Sequence, residues 1–291
     1  MVRWQATRSN GVIPLGINTM VWTGSFGAAN LRLLETIRAA GFEVAELGIF
    51  DFESLDCSTV RSALKQNGLG CTATSALPED MSLLDSDAEV RRRTVEWLRR
   101  AIETLAEVGA RVLAGPFYAP VGYLPGRRRT PAEWQRAVDG LRQVGELTAG
   151  TDVRLAIEPL NRFETYFLNT AEDALHLWRA VDHPSAGVLF DTFHANIEEH
   201  DICAALQSLG PSLCHVHLSE NDRGIPGTGH IPFCHLFETL KSMDYAGAAV
   251  VESFATTIPE IARAAAIWRD LYPSSDRFAV DSMAFLSGLR T

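Results

Sequence analysis

Four short stretches of this chain each end an apolar run with an ionisable side chain. They are LAIEPL (155–160), GVLFD (187–191), CHVHLSE (214–220) and AAVVESF (248–254). In a β-strand, alternate side chains face opposite sides. Ala156 and Glu158 would then share a face, as would Gly187, Leu189 and Asp191, His215 and His217, and Ala248, Val250 and Glu252. Glu158, Asp191, His217 and Glu252 would supply three carboxylates and one imidazole, a hard donor set suited to Mn²⁺, Co²⁺ or Mg²⁺ rather than to structural zinc. Singly, each has an ordinary explanation: a buried carboxylate as a hydrogen-bond partner, a strand histidine as a core residue. Four at equivalent depth resist that explanation, because burying three carboxylates without a cation costs several kcal/mol per ion, to order of magnitude. His215, one layer deeper, is expected to be structural or to orient a ligand.

Such side chains converge only if the strands lie side by side and parallel. Apolar runs rich in Val, Ile and Leu recur near residues 13–22, 44–50, 70–76, 111–117, 153–160, 186–193, 213–219 and 248–254. Amphipathic helical patterns separate them at 30–40, 53–66 (the weakest), 88–108, 131–148, 171–181, 202–209, 233–243 and 259–271. Repeated βα units of this number predict a single-domain α/β fold, the (β/α)₈ TIM barrel, with its chemistry at the C-terminal strand ends. Thr130 before Pro131 reads as a helix start, and Gly41, Gly109 and Gly210 as helix ends. We expect a short N-terminal extension at 1–12, the barrel catalytic domain at 13–275 and a C-terminal extension at 276–291 packing on it. The stretch 118–130 reads as one long βα loop with Arg127 to Arg129 as a solvated face.

A formal net charge of −10 and a pI near 5.3 argue against a nucleic-acid partner, which needs a basic face. No run is long and apolar enough to span a bilayer and no leader pattern opens the chain, so no membrane partner and a cytoplasmic location are expected. The five cysteines are scattered without paired spacing and read as reduced thiols. No nucleotide cofactor is expected, since RGIPGTGH (223–230) does not sit between a strand and a helix as a dinucleotide fingerprint does. The same glycine-rich loop raises a competing expectation, a phosphate cradle for a phosphorylated sugar.

The ordered motifs IEPLNRFETYFLNT (157–170), FDTFHANIEEHD (190–201), HVHLSENDRGIPGTGHI (215–231) and VVESF (250–254) resemble the D-tagatose 3-epimerase and D-allulose (D-psicose) 3-epimerase family of the xylose-isomerase-like group. The resemblance is strongest in the second half of the chain. It implies one divalent cation per subunit, Mn²⁺ first, held by Glu158, Asp191, His217 and Glu252. It also implies that Glu158 and Glu252 act as the two acid/base groups, and that Glu164, His194 and Arg223 hold oxygens at the reacting end of a sugar.

The activity implied is epimerisation at carbon 3 of free ketohexoses or ketopentoses of the D-tagatose, D-allulose/D-fructose or L-ribulose type, through an enediolate that the cation stabilises. Inversion requires bases on opposite faces, which strands five and eight could supply. Trp22, Phe117 and Tyr118 are candidates for the far end of the sugar. A homo-oligomer, dimer or tetramer, is also implied. The same scaffold serves aldose–ketose isomerases, hydroxypyruvate isomerases and inosose dehydratases, which fold alone does not separate. A non-catalytic sugar-binding protein would be marked by loss of an acid/base residue, and both are present.

Overall fold

The computed structural model describes residues 12–290 of the chain; the expected N-terminal extension falls outside them, apart from residue 12. Eight parallel strands close a barrel in chain order: β1 Leu15–Asn18, β2 Val44–Gly48, β3 Gly70–Thr74, β4 Val112–Gly115, β5 Arg154–Ile157, β6 Ala186–Asp191, β7 Leu213–Leu218 and β8 Ala249–Val251. β8 returns to β1 through the pairs Leu15↔Ala249 and Ile17↔Val251. Helices α1 Arg32–Ala39, α2 Cys57–Gln66, α3 Ala88–Val108, α4 Pro131–Leu147, α5 Ala171–Val181, α6 Thr192–Glu198, α7 Ile202–Ser208, α8 Phe233–Ser242, α9 Pro259–Ala264 and α10 Ser275–Leu286 lie between and after the strands. The strands are nearly continuously buried, as a parallel sheet covered on its outer face by helices requires.

Inside the cylinder the side chains are small where space is shortest. Val112, Ala114, Ala156, Leu189 and Cys214 form one buried cluster. At Gly187 a Cβ would stand 2.3 Å from Cys214 Sγ, so this close approach admits only glycine. The β6–β7 register shifts between Val188 and Leu189, from Val188↔Leu213 to Leu189↔His215. One extra residue on β7, Cys214, is taken up there, and the shift leaves Asp191 opposite His217 on the inner face.

Several helix ends follow the local chemistry. Gly109 closes α3 at φ 89°, and Gly41 and Gly210 also take left-handed angles. Asp56 caps α2 through the Thr59 N–H, so the weakest helical pattern does form. Two elements differ from the sequence expectation. The seven-residue α6, absent from the sequence pattern, is started by Asp191 accepting from the Phe193 N–H. The helix expected over 259–271 stops at Ala264, and Ala266 at φ 52° turns the chain away.

The segment 276–291 is mostly α10. It runs from the C-terminal rim, where Ser275 and Asp276 bond Val21 and Trp22, toward the opposite end, where Met283 lies beside Gly41 and Arg290 pairs with Glu43. Its Phe278, Ala279 and Leu286 are fully buried.

Of the three arginines expected as a solvated face, Arg127 and Arg128 are exposed and Arg129 is half-buried, and Arg127 and Arg129 also pin the long loop before α4. Arg129 makes a forked pair with Asp173 at 2.6 and 2.9 Å and lies 4.8 Å over the Trp134 ring. Arg127 pairs with Glu133 at 2.7 Å. Glu133 and Thr130 form a reciprocal capping box at the start of α4. The paired Arg127 offsets the effect of burial and holds the Glu133 carboxyl down at about 2 against an ordinary 4.5. A depressed carboxyl contributes stability above its unfolded pKa and loses it as pH falls through the folded value. Glu133→Ala should therefore cost about 1–2 kcal/mol at pH 7. The deficit, measured by urea unfolding, should shrink from pH 4.5 downward and be nearly gone near pH 2.

Candidate active site

Glu158 directly follows β5, Asp191 ends β6, His217 lies near the end of β7 and Glu252 directly follows β8. All four are buried, with exposures from 0% to 6%. The register sets Asp191 beside His217, and His217 beside Val250, two residues before Glu252. Ligand-type atoms of Glu158, Asp191 and His217 lie within 4.8 Å of one another, and Glu252 Oε1 is 3.3 Å from His217 Nδ1. Asp191 divides its oxygens: Oδ1 accepts from the Phe193 N–H at 2.7 Å, leaving Oδ2 for the site.

Arg223 enters this cluster from the loop after β7. Its Nη1 lies 2.8 Å from Asp191 Oδ2, 2.8 Å from Glu252 Oε2 and 2.6 Å from Ser219 Oγ. The guanidinium is held between the Phe193 and Phe254 rings, 4.0 and 5.0 Å from their centroids, an arrangement that suits a planar delocalised cation. Its backbone carries φ 65°, costly for a non-glycine residue, and is fixed by the Ser253 hydroxyl donating to the Arg223 carbonyl.

His194, on α6, points its Nε2 into the same space, 3.6 Å from Glu158 Oε1, 3.8 Å from Asp191 Oδ2 and 3.4 Å from Arg223 Nη2. Its Nδ1 accepts from the Asn161 backbone N–H at 3.1 Å. With Nδ1 taken by the shorter of its donor contacts, a neutral His194 carries its proton on Nε2, the atom facing the cavity, and the 3.4 Å approach of Arg223 Nη2, itself a donor, is then a contact and not a hydrogen bond. Burial, against the pull of Asp191 and Glu164, lowers its pKa and favours that neutral form. Glu164 is half-buried on the loop after β5 and accepts from Asn161 Nδ2 at 2.7 Å. The structure thus gathers the seven sequence-named residues around one mouth, Glu164 at its edge.

The electrostatics ask for positive charge. Burial, with Glu252 beside it, pushes the Glu158 carboxyl well above the usual carboxylate range. Burial acts likewise on Asp191, but Arg223 and His194 outweigh it and bring that group down to about 2. Burial would strip the proton from His217, yet Glu252 and Glu46 hold its pKa well above the usual imidazole value. Three ionised carboxylates against one guanidinium leave two negative charges once His217 gives up its proton, the form in which an imidazole can act as a ligand. A hard divalent cation matches that charge and that donor set.

Four contributors went unnoticed in the sequence. Glu46, fully buried on β2, contacts both His215 and His217. Asn18 on β1 donates to Glu46 at 3.0 Å. Asn161 sets the His194 tautomer. All are lone polar residues in or beside apolar runs, and the parity rule applied to VAELG (44–48) and LGIN (15–18) would have turned Glu46 and Asn18 inward. The fourth, Glu220, is fully buried and accepts from the backbone N–H groups of Asn221, Gly227 and Ile231 at 3.1, 2.8 and 3.0 Å. These donors of the glycine-rich loop serve an internal carboxylate, and its negative charge opposes a phosphate at the same place. Phe117 and Tyr118, suggested for the far end of a sugar, are buried in the barrel packing; the Tyr118 hydroxyl donates to the Glu158 carbonyl at 3.1 Å. Trp22 is tied to Asp276 by its ring N–H.

A closed parallel barrel with an acidic, histidine-containing mouth defines a broad class of enzymes, and the chain belongs to the xylose isomerase-like TIM barrel family, whose model matches residues 34–271. Within it the chain belongs to the ketose 3-epimerases, a family of isomerases. It is 35% identical over 278 residues to a Synechocystis sp. protein named a probable ketose 3-epimerase, covering 96% of this chain and 97% of that one. It is 32% identical over 276 residues to the ketose 3-epimerase of Arthrobacter globiformis, covering 94% and 95%. A D-allulose 3-epimerase from Methylomonas sp., solved in complex with D-allulose, superposes with a TM-score of 0.90 at 28% identity over 96% of this chain and 97% of that one. Among the described residues no helix is long and apolar enough to cross a membrane.

Removing the Glu220 carboxylate should release the loop it organises. Glu220→Ala is expected to open protease cleavage within 221–230 under conditions that leave the parent chain intact, read by mass spectrometry of the fragments.

Proposed function

We propose that this protein epimerises free ketoses at carbon 3, with substrates of the D-tagatose, D-allulose/D-fructose or L-ribulose type. The observation that carries the reading is the convergence of Glu158, Asp191, His217 and Glu252 from four successive strands, facing Arg223 and His194. The relatives' activities agree with it.

In this reading Glu158 and Glu252, on different sides of the mouth, are the two acid/base groups. One carboxylate takes the carbon 3 proton, and the C–H electron pair moves toward the carbonyl to give an enediolate. The other carboxyl returns a proton to the opposite face, inverting the centre. Arg223, always charged, and the Nε2–H of His194 bind the oxygens that gain charge. Glu164 accepts from a neighbouring sugar hydroxyl. A divalent cation held by Glu158, Asp191, His217 and Glu252, Mn²⁺ by preference with Co²⁺ or Mg²⁺ as substitutes, would supply Lewis-acid stabilisation of the developing negative charge. The internal use of the glycine-rich loop by Glu220 favours an unphosphorylated sugar. A homo-oligomer, dimer or tetramer, in the cytoplasm completes the reading.

Incubating the Mn²⁺-loaded protein with D-allulose, D-tagatose, L-ribulose and an aldose, followed by product chromatography, tests it. Carbon 3 epimers of the ketoses are expected; aldose–ketose interconversion alone would overturn it. Glu158→Gln and Glu252→Gln should each lower kcat by at least about 10²–10⁴-fold, and normal rates in either would remove that residue from the mechanism. Chelation with EDTA should stop turnover and lower the melting midpoint. Mn²⁺ at about 100 times its Kd should restore both, adding roughly 2.7 kcal/mol of stability.

A further inference from the structure

Below the mouth, the barrel interior holds a second group of charged residues. The Glu46 carboxylate, fully buried on β2, takes four contacts at once. Oε1 accepts from Asn18 Nδ2 at 3.0 Å and lies 2.7 Å from His217 Nε2; Oε2 accepts from Thr72 Oγ1 at 2.9 Å and lies 2.5 Å from His215 Nε2. Four strands, β1, β2, β3 and β7, thereby meet on one carboxylate. The histidine contacts are too short to enclose a second cation, because a metal about 2.0–2.2 Å from each donor keeps such donors nearer 3 Å apart. They are direct contacts, the one to His217 bent from a straight hydrogen bond.

His217 is the single residue shared by this buried group and the mouth. Neither ring nitrogen makes a well-aligned hydrogen bond, but the two contacts are unequal: Nε2 lies 2.7 Å from Glu46 Oε1, while Nδ1 faces Glu252 at the longer distance of 3.3 Å. A carboxylate against one ring nitrogen places the proton there, fixes the ring rotation and leaves the other nitrogen with its lone pair directed at the cation position. From this geometry we infer that Glu46 is the positioning residue of the metal centre. It acts through His217, setting its tautomer and increasing its strength as a ligand, without touching cation or substrate. His215 buttresses the far oxygen of Glu46, and Asn18 and Thr72 keep the carboxylate from rotating away. Asn18 Nδ2 also lies 3.4 Å from Glu252 Oε1, which couples the same group to a second mouth carboxylate. The inference rests on the reading that Glu158, Asp191, His217 and Glu252 hold a divalent cation.

The test is Mn²⁺ binding to the metal-stripped full chain, followed by the electron paramagnetic resonance of free Mn²⁺, for the parent, Glu46→Gln and Glu46→Asp. Circular dichroism and the melting midpoint of the metal-free forms report folding. Glu46→Gln is expected to weaken Mn²⁺ binding about 10–100-fold, and Glu46→Asp, which keeps the charge but retracts it, by less. Unchanged affinity in a folded Glu46→Gln would overturn the inference and leave the metal reading standing; no Mn²⁺ binding by the parent would overturn the metal reading and this inference together. A measurement on the parent alone guards against a variant that does not fold. In ¹⁵N-histidine-labelled parent with Mg²⁺ bound, His217 should carry its proton on Nε2, and a proton on Nδ1 would overturn the assignment.

Discussion

Like charges buried close together govern this structure. Glu158, Asp191 and Glu252 crowd one mouth away from water, where their repulsion is screened little. Arg223 touches two of them with a single nitrogen, and His217 and His194 stand against the rest. The arrangement is tolerable only with positive charge at its centre, and it is useful for the same reason. In the proposed reaction, groups that strain to gain or lose protons are those able to exchange them with a sugar carbon whose proton is only weakly acidic.

Holding such a cluster requires a frame that does not relax. Closure of the barrel supplies it: each functional strand is fixed by a neighbour on both sides, so the backbone positions from which the carboxylates project cannot move apart without breaking a ladder. The shifted register between β6 and β7 brings Asp191 level with His217. The loops are held by buried charge as well. Glu220 gathers the backbone of the glycine-rich segment that carries Arg223, and Glu133 with Arg127 anchors the long loop ahead of α4. In each case a buried or half-buried carboxylate satisfies several donors at once, the condition under which burying it is affordable.

A layered logic connects the interior to the mouth. Small side chains, Ala114, Ala156 and Gly187, let one side of the barrel pack tightly. On the other side Asn18, Thr72 and His215 converge on the Glu46 carboxylate to form a buried polar group beneath His217. The barrel core is thus apolar on one side and polar beneath the acidic mouth. Asn161 plays the corresponding part for His194, through one backbone and one side-chain contact.

The alternation of side chains along LAIEPL, GVLFD, CHVHLSE and AAVVESF was enough to turn Glu158, Asp191, His217 and Glu252 toward one interior, because strand parity is a local property. The count of apolar runs was enough for the eightfold barrel, since each run had to be one wall of the same core. Capping residues marked most helix ends, Thr130 and Gly109 among them. Long-range partnership was beyond local pattern. Glu46 stands 171 positions before His217 and became visible only when the closed sheet set β2 and β7 across a shared interior. α6 was too short for a periodic signal, and nothing local to Arg127 and Arg129 named Glu133 and Asp173 as the partners that folding brings to them. Sequence determines which side of its own strand or helix a residue occupies, whereas the tertiary structure decides which distant group meets it there, since that depends on how all the walls close.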